Sequence, residues 1–318
     1  MFQTPILFLV FNRPEITVQT FRYIAQIKPQ FLYIAADGPR KSNPEDRDRC
    51  AETRQKVLEL IDWPCEVKTL FREENIGCKR AISEGISWFF NHVEAGIILE
   101  DDCVAAPSFF PYCEKMLREY KDHPQIGMIG GANFLNTNQL EDSYFFSRYF
   151  IIWGWATWKN KWLLYQNELK DWPKLREEKW LTTIFKNKNT IRYYTFTFDK
   201  AEKNEVDNWD THWGYYLFYH NQLAITPTKN LISNIGFQGT HTTKSHFYLF
   251  NRSLETYAVE RIINPDEIRV SEALDDEQFY NVKISRFSLK AFVRVFLKDS
   301  FLLSIVYKIY RMKKRLHT

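Results

Sequence analysis

The chain has 318 residues, of which 45% are hydrophobic and 26% are charged, as in globular proteins with one large domain or two modest ones. The net charge is +4, but residues 286–318 hold nine Lys or Arg and a single acidic residue. The segment 1–285 holds 34 basic and 38 acidic side chains, a net charge of −4. This mildly acidic body argues against a nucleic-acid-binding protein.

The N-terminus and the cysteines indicate a cellular location. The opening stretch MFQTPILFLVFNRPE has no basic region before its apolar run, and that run is too short to span a bilayer. The five cysteines show neither a CxxC motif nor the spacing of a metal site. We therefore expect a cytoplasmic protein with free thiols.

The segment 1–130 alternates short apolar runs with longer amphipathic ones. Strands are predicted over the apolar segments 5–11, 31–36, 65–71, 95–100 and 126–131. Helices are predicted after Pro14, from Pro44 to about Leu60, over 79–93 and after Pro107. This alternation is typical of βαβ units, so we predict an α/β fold with a doubly wound, mostly parallel sheet flanked by helices.

Polar residues follow several of these strands. Asn12 and Arg13 follow the first, Asp37 follows the second, and the acidic triplet 100–102 ends the fourth. Ligands of such sheets bind beyond the carboxyl ends of the strands, so we predict a binding edge there. Asn75 precedes the third helix, whose N-terminal amides could bind an anion. The sequence has no P-loop and no GxGxxG motif.

The acidic triplet consists of Glu100, Asp101 and Asp102. Mg²⁺ and Mn²⁺ prefer oxygen ligands and are usually held by one or two carboxylates plus substrate phosphates. Because successive side chains of a strand point to opposite faces, one acid could bind the metal while a neighbour contacts another part of the ligand. The alternative is a solvated turn that caps the helix after Pro107.

From residue 131 the chain becomes rich in aromatic residues, and we expect it to form the other wall of a cleft. A helix is predicted over 171–185 and another within the stretch NWDTHWGYYLFYH. Asp210 lies between two tryptophans, where partial desolvation would raise its pKa as a general base requires; the alternative is a helix N-cap. His241 follows two glycines and could bind a metal or a phosphate, with His246 as the competing candidate.

The C-terminal segment 286–318 is of a different kind. Arg286, Lys290, Arg294 and Lys298 recur at every fourth position, which places them on one helical face. Apolar residues cover much of the rest, so we predict an amphipathic C-terminal helical tail that lies on an anionic membrane surface. The alternative is a helix that docks on the body.

Seven stretches in register resemble the bacterial glycosyltransferases of the GT-A fold that are called hemolytic-protein-like or nucleotide-diphospho-sugar transferases. They are PILFLVFNRP, AADGPR, NIGCKRAI, GIILEDD, IIWGWATW, NWDTHW and LISNIGFQGTHT, between residues 3 and 245. They are similar, more distantly, to the N-acetylglucosaminyltransferase I family. The resemblance implies an inverting transfer, dependent on Mn²⁺ or Mg²⁺, from a nucleotide-diphosphate sugar to a hydroxyl of a glycan or lipid-linked glycan. UDP is the expected nucleotide.

The resemblance also implies roles for single residues. Asp102 would contact the metal, Asp101 the ribose and Asp37 the nucleobase, while Asp210 would be the general base. The other implied contacts are Asn12, Arg13 and Asn75 with the nucleotide sugar, Trp155 in the substrate-binding loop, and His241 with the metal or a phosphate. The loop before His241 is shorter than in these relatives.

On this basis the chain divides into a GT-A domain over 1–250, a connecting segment over 251–285 and the tail over 286–318. Within the domain, residues 1–130 would bind the nucleotide and residues 131–250 the acceptor. The tail would hold the protein at the inner face of the cytoplasmic membrane. Two other readings stay open, which are a non-catalytic carbohydrate- or lipid-binding protein and a metal-dependent phosphohydrolase.

Overall fold

A computed structural model of the chain describes residues 1–236 and 254–283. The first part of these residues alternates strands and helices: β1 Ile6–Val10, α1 Pro14–Ile27, β2 Phe31–Ala36, α2 Asp46–Glu59, β3 Glu66–Phe71, α3 Cys78–Phe90, β4 Ala95–Glu100, β5 Cys103–Ala105, α4 Phe109–Glu119 and β6 Ile126–Gly130. The remainder is β7 Tyr144–Ser147, β8 Trp155–Trp158, α5 Lys159–Trp162, α6 Trp172–Glu177, α7 Leu181–Ile184, α8 Lys188–Glu202, α9 Asp210–Tyr219, β9 Leu223–Pro227, β10 Ile232–Asn234 and α10 Glu272–Gln278, which continues into a π-helical turn.

Eight strands form one sheet in the order β3-β2-β1-β4-β8-β6-β9-β7. β1 pairs in parallel with β2 and β4, β2 with β3, and β6 with β9, whereas β8 and β7 run antiparallel to their neighbours. Six strands therefore point in one direction. The predicted α/β fold with a mostly parallel sheet flanked by helices is confirmed, and the predicted C-terminal tail lies outside the described residues.

The sheet continues from the N-terminal half of the chain into the second half. β4 pairs with β8, with Ile97 opposite Ala156. A second, two-stranded sheet joins β5 to β10, with Cys103 opposite Asn234. This small sheet brings the chain around residue 234 next to the acidic triplet.

Two hydrophobic layers cover the two faces of the main sheet. Along β1, Ile6 and Phe8 pack in one layer and Leu7 packs in the other, because successive side chains of a strand point to opposite faces. α1, α2 and α4 contribute to the first layer, and α3, α8 and α9 to the second. Burial on both faces explains the uniformly apolar sequences of β1 and β2 and the apolar run that precedes Glu100 in β4.

In the second half of the chain one predicted helix is wrong and another helix was not predicted. The helix expected over 171–185 is divided into α6 and α7, with Lys179 in a left-handed conformation (φ 55°) between them. α8, the longest helix described, is absent from the sequence-based prediction. Among the described residues, no helix has the length and apolar character needed to cross a membrane.

Candidate active site

A cavity of about 240 Å³ lies beyond the carboxyl ends of β1, β2 and β4, beside the N-terminus of α3. Four residues predicted to contact a nucleotide sugar line it, namely Arg13, Asp37, Asn75 and Asp101. They come from four separate stretches of the sequence, and the parallel sheet brings them to one edge. The cavity is also lined by Glu100, the first residue of the acidic triplet, and by residues that the sequence analysis did not select, among them Phe11, Arg40, Cys78 and Asp207.

Arg13 connects two acids of the triplet. Its guanidinium forms ion pairs with Asp101 and with Asp102, the latter at 3.0 Å between Nη2 and Oδ2. Thr17 Oγ1 donates a further hydrogen bond of 3.4 Å to Asp101. Burial alone would disfavour the charge of Arg13, but the two carboxylates outweigh it and raise the pKa of Arg13. A permanent cation therefore lies at the carboxyl end of β1.

Glu100, the last residue of β4, faces the same cavity but has a different environment. Burial, together with the charges of Asp102 and Asp101, raises the pKa of Glu100 to about 8. Its carboxyl therefore holds a proton more tightly than an ordinary glutamate does. Among the residues that the structure describes, none forms a hydrogen bond with this carboxyl, which leaves it available to a ligand.

Asp102, which pairs with Arg13, is also held by the last residue of β10 and by the residue that follows it. Asn234 Nδ2 donates a hydrogen bond of 3.0 Å to Asp102 Oδ1, and the amide of Ile235 donates one of 2.9 Å to the Asp102 carbonyl. A Cβ on Gly236 would lie 2.1 Å from Asp102 Oδ2. Only glycine therefore permits this close approach of the chain to the carboxylate.

Within residues 1–236 and 254–283, no group of three His, Cys, Asp or Glu side chains is arranged to hold a metal ion. A metal held by one carboxylate and by substrate phosphates needs no such cage. Asp102, whose side chain is 15% exposed, does not itself line the cavity, but it follows Asp101, which does, and it has the chemistry for that single contact. A cation there would share or replace the contact with Arg13. The other predicted metal ligand, His241, lies outside the described residues, as does His246.

Asp37 and Asn75 form one hydrogen-bonded unit. Asp37 accepts hydrogen bonds from Asn75 Nδ2 (2.8 Å) and from the amides of Gly38 (2.9 Å) and Ile76 (3.1 Å). Burial raises the pKa of Asp37, while these amides oppose the rise. Asn75 Nδ2 also donates to the Gly38 carbonyl (2.9 Å). These hydrogen bonds connect the loop after β2 with the loop after β3 at the cavity wall.

Asn12 does not line the cavity and acts through Asp46. Its Nδ2 donates a hydrogen bond of 2.7 Å to Asp46, a fully buried carboxylate at the start of α2. Arg40 binds the same carboxylate, with Nη2 3.0 Å from Oδ1, and its guanidinium carbon lies 5.4 Å from the centre of the Phe11 ring. Asp46 therefore holds Arg40 in position at the cavity. In the sequence, the stretch DGPRKSNP that contains Arg40 indicates a turn but does not indicate these contacts.

Asp210 is the first residue of α9, and its side chain caps no helix, so the capping alternative is not observed. Among the described residues no hydrogen bond or ion pair involves its carboxylate. Burial is the main cause of the raised pKa of Glu100 and Cys78, and the charge of Asp210 contributes to both. Asp210 thus lies within electrostatic range of two residues that line the cavity.

Trp155 occupies the aromatic core and not the cavity. Its side chain is 1% exposed, and its ring centre lies 5.6 Å from that of Trp209 and 5.8 Å from that of Trp213. Such burial leaves no surface for a sugar. The predicted contact between Trp155 and the nucleotide sugar is therefore replaced by a packing role.

Asp207 is the main cavity residue that the sequence analysis missed. Its carboxylate accepts hydrogen bonds from the backbone amides of Cys78 (3.1 Å) and Lys79 (3.2 Å). An anion was expected at this helix end, but here it comes from the protein itself, from a loop in the second half of the chain. No local pattern around residue 207 could have shown this contact.

Comparison with protein-family models gives no match, and no curated protein matches the sequence. Among solved structures, HddC from Yersinia pseudotuberculosis complexed with GMP-PN is similar at a TM-score of 0.29 and 11% identity, over 43% of this chain and 60% of that chain. UDP-glucose pyrophosphorylase complexed with UDP-glucose gives 0.27 and 12%, over 46% of this chain and 64% of that chain. Apo UDP-glucose pyrophosphorylase gives 0.36 and 8%, over 73% and 93%. The matched regions span less than two thirds of the first two proteins.

Proposed function

We propose that this chain is an inverting glycosyltransferase that takes a sugar from a nucleotide-diphosphate donor, with UDP as the expected nucleotide. The observation that carries the proposal is the convergence of Arg13, Asp37, Asn75 and Asp101 on one cavity at the carboxyl ends of parallel strands. The motifs that contain these residues resemble those of GT-A transferases in the same order. Convergence of these motifs supports a shared ligand site.

The cavity has two guanidinium groups that could contact a diphosphate leaving group, beside the acidic side chains of Asp37, Glu100, Asp101 and Asp207. Arg13 and Arg40 are held by the buried carboxylates of Asp101 and Asp46, so their cations are fixed before a ligand arrives. Fixed cations stabilise negative charge that develops on a leaving group without needing to reorganise. A divalent cation held by Asp102 and the diphosphate would add Lewis-acid stabilisation of the same charge.

Asp210 is the proposed general base. An acceptor hydroxyl must lose its proton as the new glycosidic bond forms, and one carboxylate within reach suffices. The carboxylate of Asp210 is partly exposed and has no partner among the described residues, so it is available to an acceptor. A glycosidase would instead need two carboxylates that flank the scissile bond. The acceptor, a glycan or lipid-linked glycan, would enter from this side.

The test of this proposal uses Asp210→Asn, which removes the base and retains the shape of the side chain. A thermal-shift screen of nucleotide sugars with Mn²⁺ first identifies the donor, because a bound donor raises the melting temperature of the protein. We expect the variant to bind UDP and Mn²⁺ like the wild type and to transfer sugar about 100-fold more slowly or worse.

The matched control is Asp122→Asn, which changes an exposed carboxylate outside the cavity lining. It should transfer sugar at the wild-type rate. Wild-type turnover in Asp210→Asn would contradict the assignment of the base. Metal-dependent phosphate release from the donor without any acceptor would favour the phosphohydrolase reading.

Peripheral membrane contact through residues 286–318 is a second part of the proposal. It is supported by the nine basic residues of this segment and by the spacing of Arg286, Lys290, Arg294 and Lys298. Near an anionic surface each such residue contributes about 1 kcal/mol of binding. We therefore expect replacement of these four by Gln to weaken binding to phosphatidylserine vesicles by roughly 100-fold or more.

Phosphatidylcholine vesicles serve as the uncharged control for this measurement, and the wild-type protein should bind them weakly. Equal binding of the wild-type and substituted proteins to phosphatidylserine vesicles would exclude the tail as the membrane contact. The segment would then be assigned to contacts with the body of the protein.

A further inference from the structure

The N-terminal turns of α3 and α9 are joined by polar contacts. Asp207, three residues before α9, accepts hydrogen bonds from the amides of Cys78 and Lys79, the first two residues of α3. The first amides of a helix have no partner within the helix and lie at the positive end of its dipole. A carboxylate there satisfies both, so the loop before α9 is anchored to α3.

A second contact joins Lys79 of α3 to His212 of α9. Lys79 is 9% exposed, and its Nζ donates hydrogen bonds to His212 Nε2 (3.0 Å) and to the Asn167 carbonyl (2.8 Å). Burial, followed by the charge of Lys79, lowers the pKa of His212 to about 4. The imidazole is therefore neutral at pH 7, and its Nε2 can accept a hydrogen bond from the ammonium.

These contacts bracket Asp210 on both sides. Asp207 precedes it by three residues and His212 follows it by two. The carboxylate of Asp210 itself has no hydrogen bond or ion pair among the described residues. Its position therefore follows from the backbone of α9, which the two contacts hold against α3.

α3 is also a wall of the cavity. Gly77, Cys78 and Ala81, at its N-terminal end, line the cavity on the side that faces Asp207. The helix that a nucleotide would touch is thus the one to which the first turn of α9 is attached. The contacts between α3 and α9 therefore connect the wall of the cavity with the helix that carries the proposed base.

We propose that Asp207, Lys79 and His212 form a clasp between α3 and α9 that fixes the position of Asp210 relative to the cavity wall formed by α3. The three are proposed as positioning residues. The inference rests on the proposed function, since it gives Asp210 the role of base. It is tested by one measurement that needs no ligand and one that needs the donor.

The first measurement is hydrogen exchange of the full-length protein, comparing Lys79→Met with the wild type. Methionine fills the buried space but cannot donate to His212. We expect faster exchange at the first hydrogen-bonded amides of α9, residues 213–216, because the helix start is less firmly held. Arg80→Met is the control, since among the described residues Arg80 pairs only with Glu84, on the exposed face of α3. Unchanged exchange in Lys79→Met would overturn the clasp.

The second measurement compares His212→Gln, which retains a hydrogen-bond acceptor, with His212→Leu, which does not. Turnover is followed as UDP release from whichever of UDP-glucose, UDP-galactose and UDP-N-acetylglucosamine the wild type uses. We expect kcat to fall about 100-fold in His212→Leu and Lys79→Met, with the Kd for UDP and Mn²⁺ unchanged and with His212→Gln restoring most of the rate.

The outcomes separate the two proposals. A wild-type kcat in His212→Leu, or a Kd for UDP that weakens in parallel with kcat, would overturn the positioning role. If the wild type neither binds UDP with Mn²⁺ nor turns over a donor, the proposed function is wrong. The exchange measurement then still decides whether the clasp exists.

Discussion

Arg13 pairs with Asp101 and Asp102. The motif resemblance assigns contact with the ribose to Asp101 and contact with the metal to Asp102. The pairing means that a cation of the protein offsets one of the two negative charges of Asp101 and Asp102 whenever no metal is present. It also means that a metal at Asp102 must compete with a guanidinium 3.0 Å away. The affinity for metal alone should therefore be low, and the diphosphate should supply most of the remaining ligands.

Asn234 provides a test of Asp102 as the metal contact. Asn234→Ala removes the hydrogen bond of 3.0 Å that orients the carboxylate, without altering the carboxylate itself. Loss of such an orienting partner weakens metal binding by roughly 10- to 100-fold, and we expect a shift of this size in the Mn²⁺ concentration needed for UDP binding. Asn91→Ala, an exposed position at the end of α3, should leave it unchanged. An unshifted Mn²⁺ requirement in Asn234→Ala would remove Asp102 from the site.

A cavity residue could be predicted from the sequence where it directly follows a buried apolar strand. Arg13, Asp37 and Asp101 each follow a buried apolar strand, and the parallel sheet places such positions side by side. Trp155 could not be judged in this way, because a tryptophan next to glycine is equally typical of a binding loop and of a core. Its contacts with two other tryptophans became visible only with the fold.

At the scale of elements, β1 to β4, β6 and α1 to α4 follow the pattern of the sequence, whereas β5 and α8 were not predicted. The sequence of α8, KNTIRYYTFTFDKAE, is rich in β-branched and aromatic residues, which favour strands. In the fold, the side chains of Thr195 and Thr197 donate to carbonyls one turn earlier, and Asn187 caps the N-terminus. Packing of Tyr194 and Phe198 against α9 outweighs the local preference.

α10 is attached to β7 through a buried carboxyl. Ser147 Oγ donates a hydrogen bond of 2.6 Å to Asp275, and Arg148 lies 3.4 Å from it. Burial raises the pKa of Asp275 to about 6. Because the folded state holds this proton more tightly than the unfolded chain, Asp275 contributes stability at low pH that is lost as the pH rises through about 6.

Asp275→Asn tests this attachment, because an amide cannot ionise. The free energy of unfolding of the variant minus that of the wild type should become more positive by about 2 kcal/mol between pH 4 and pH 7. Urea unfolding at a series of pH values measures this difference, and Asp266→Asn, a surface change in the same segment, is the control. A difference that stays constant with pH would show that Asp275 keeps an ordinary pKa.

At the scale of the whole molecule, the sheet brings together residues that are far apart in the sequence. Asp207 caps a helix that begins at Cys78, and Asn234 orients an acid at position 102. Neither contact has a local signature, since each depends on how β8, β9 and β10 continue the fold begun by β1 to β4. The sequence therefore predicts the edge of the sheet at which we expect a ligand to bind. It does not predict the contacts that Asp207 and Asn234, from the second half of the chain, make at that edge.

The most direct test of the proposed function is a calorimetric titration of the full-length protein with UDP, in the presence of Mn²⁺ and again in EDTA. We expect saturable one-to-one binding with Mn²⁺ and affinity weaker by at least about 10-fold in EDTA, since the diphosphate and Asp102 would share the metal. Asp37→Ala should weaken binding in both conditions. Absence of UDP binding, or binding that is equally strong in EDTA, would contradict a metal-dependent nucleotide-sugar site.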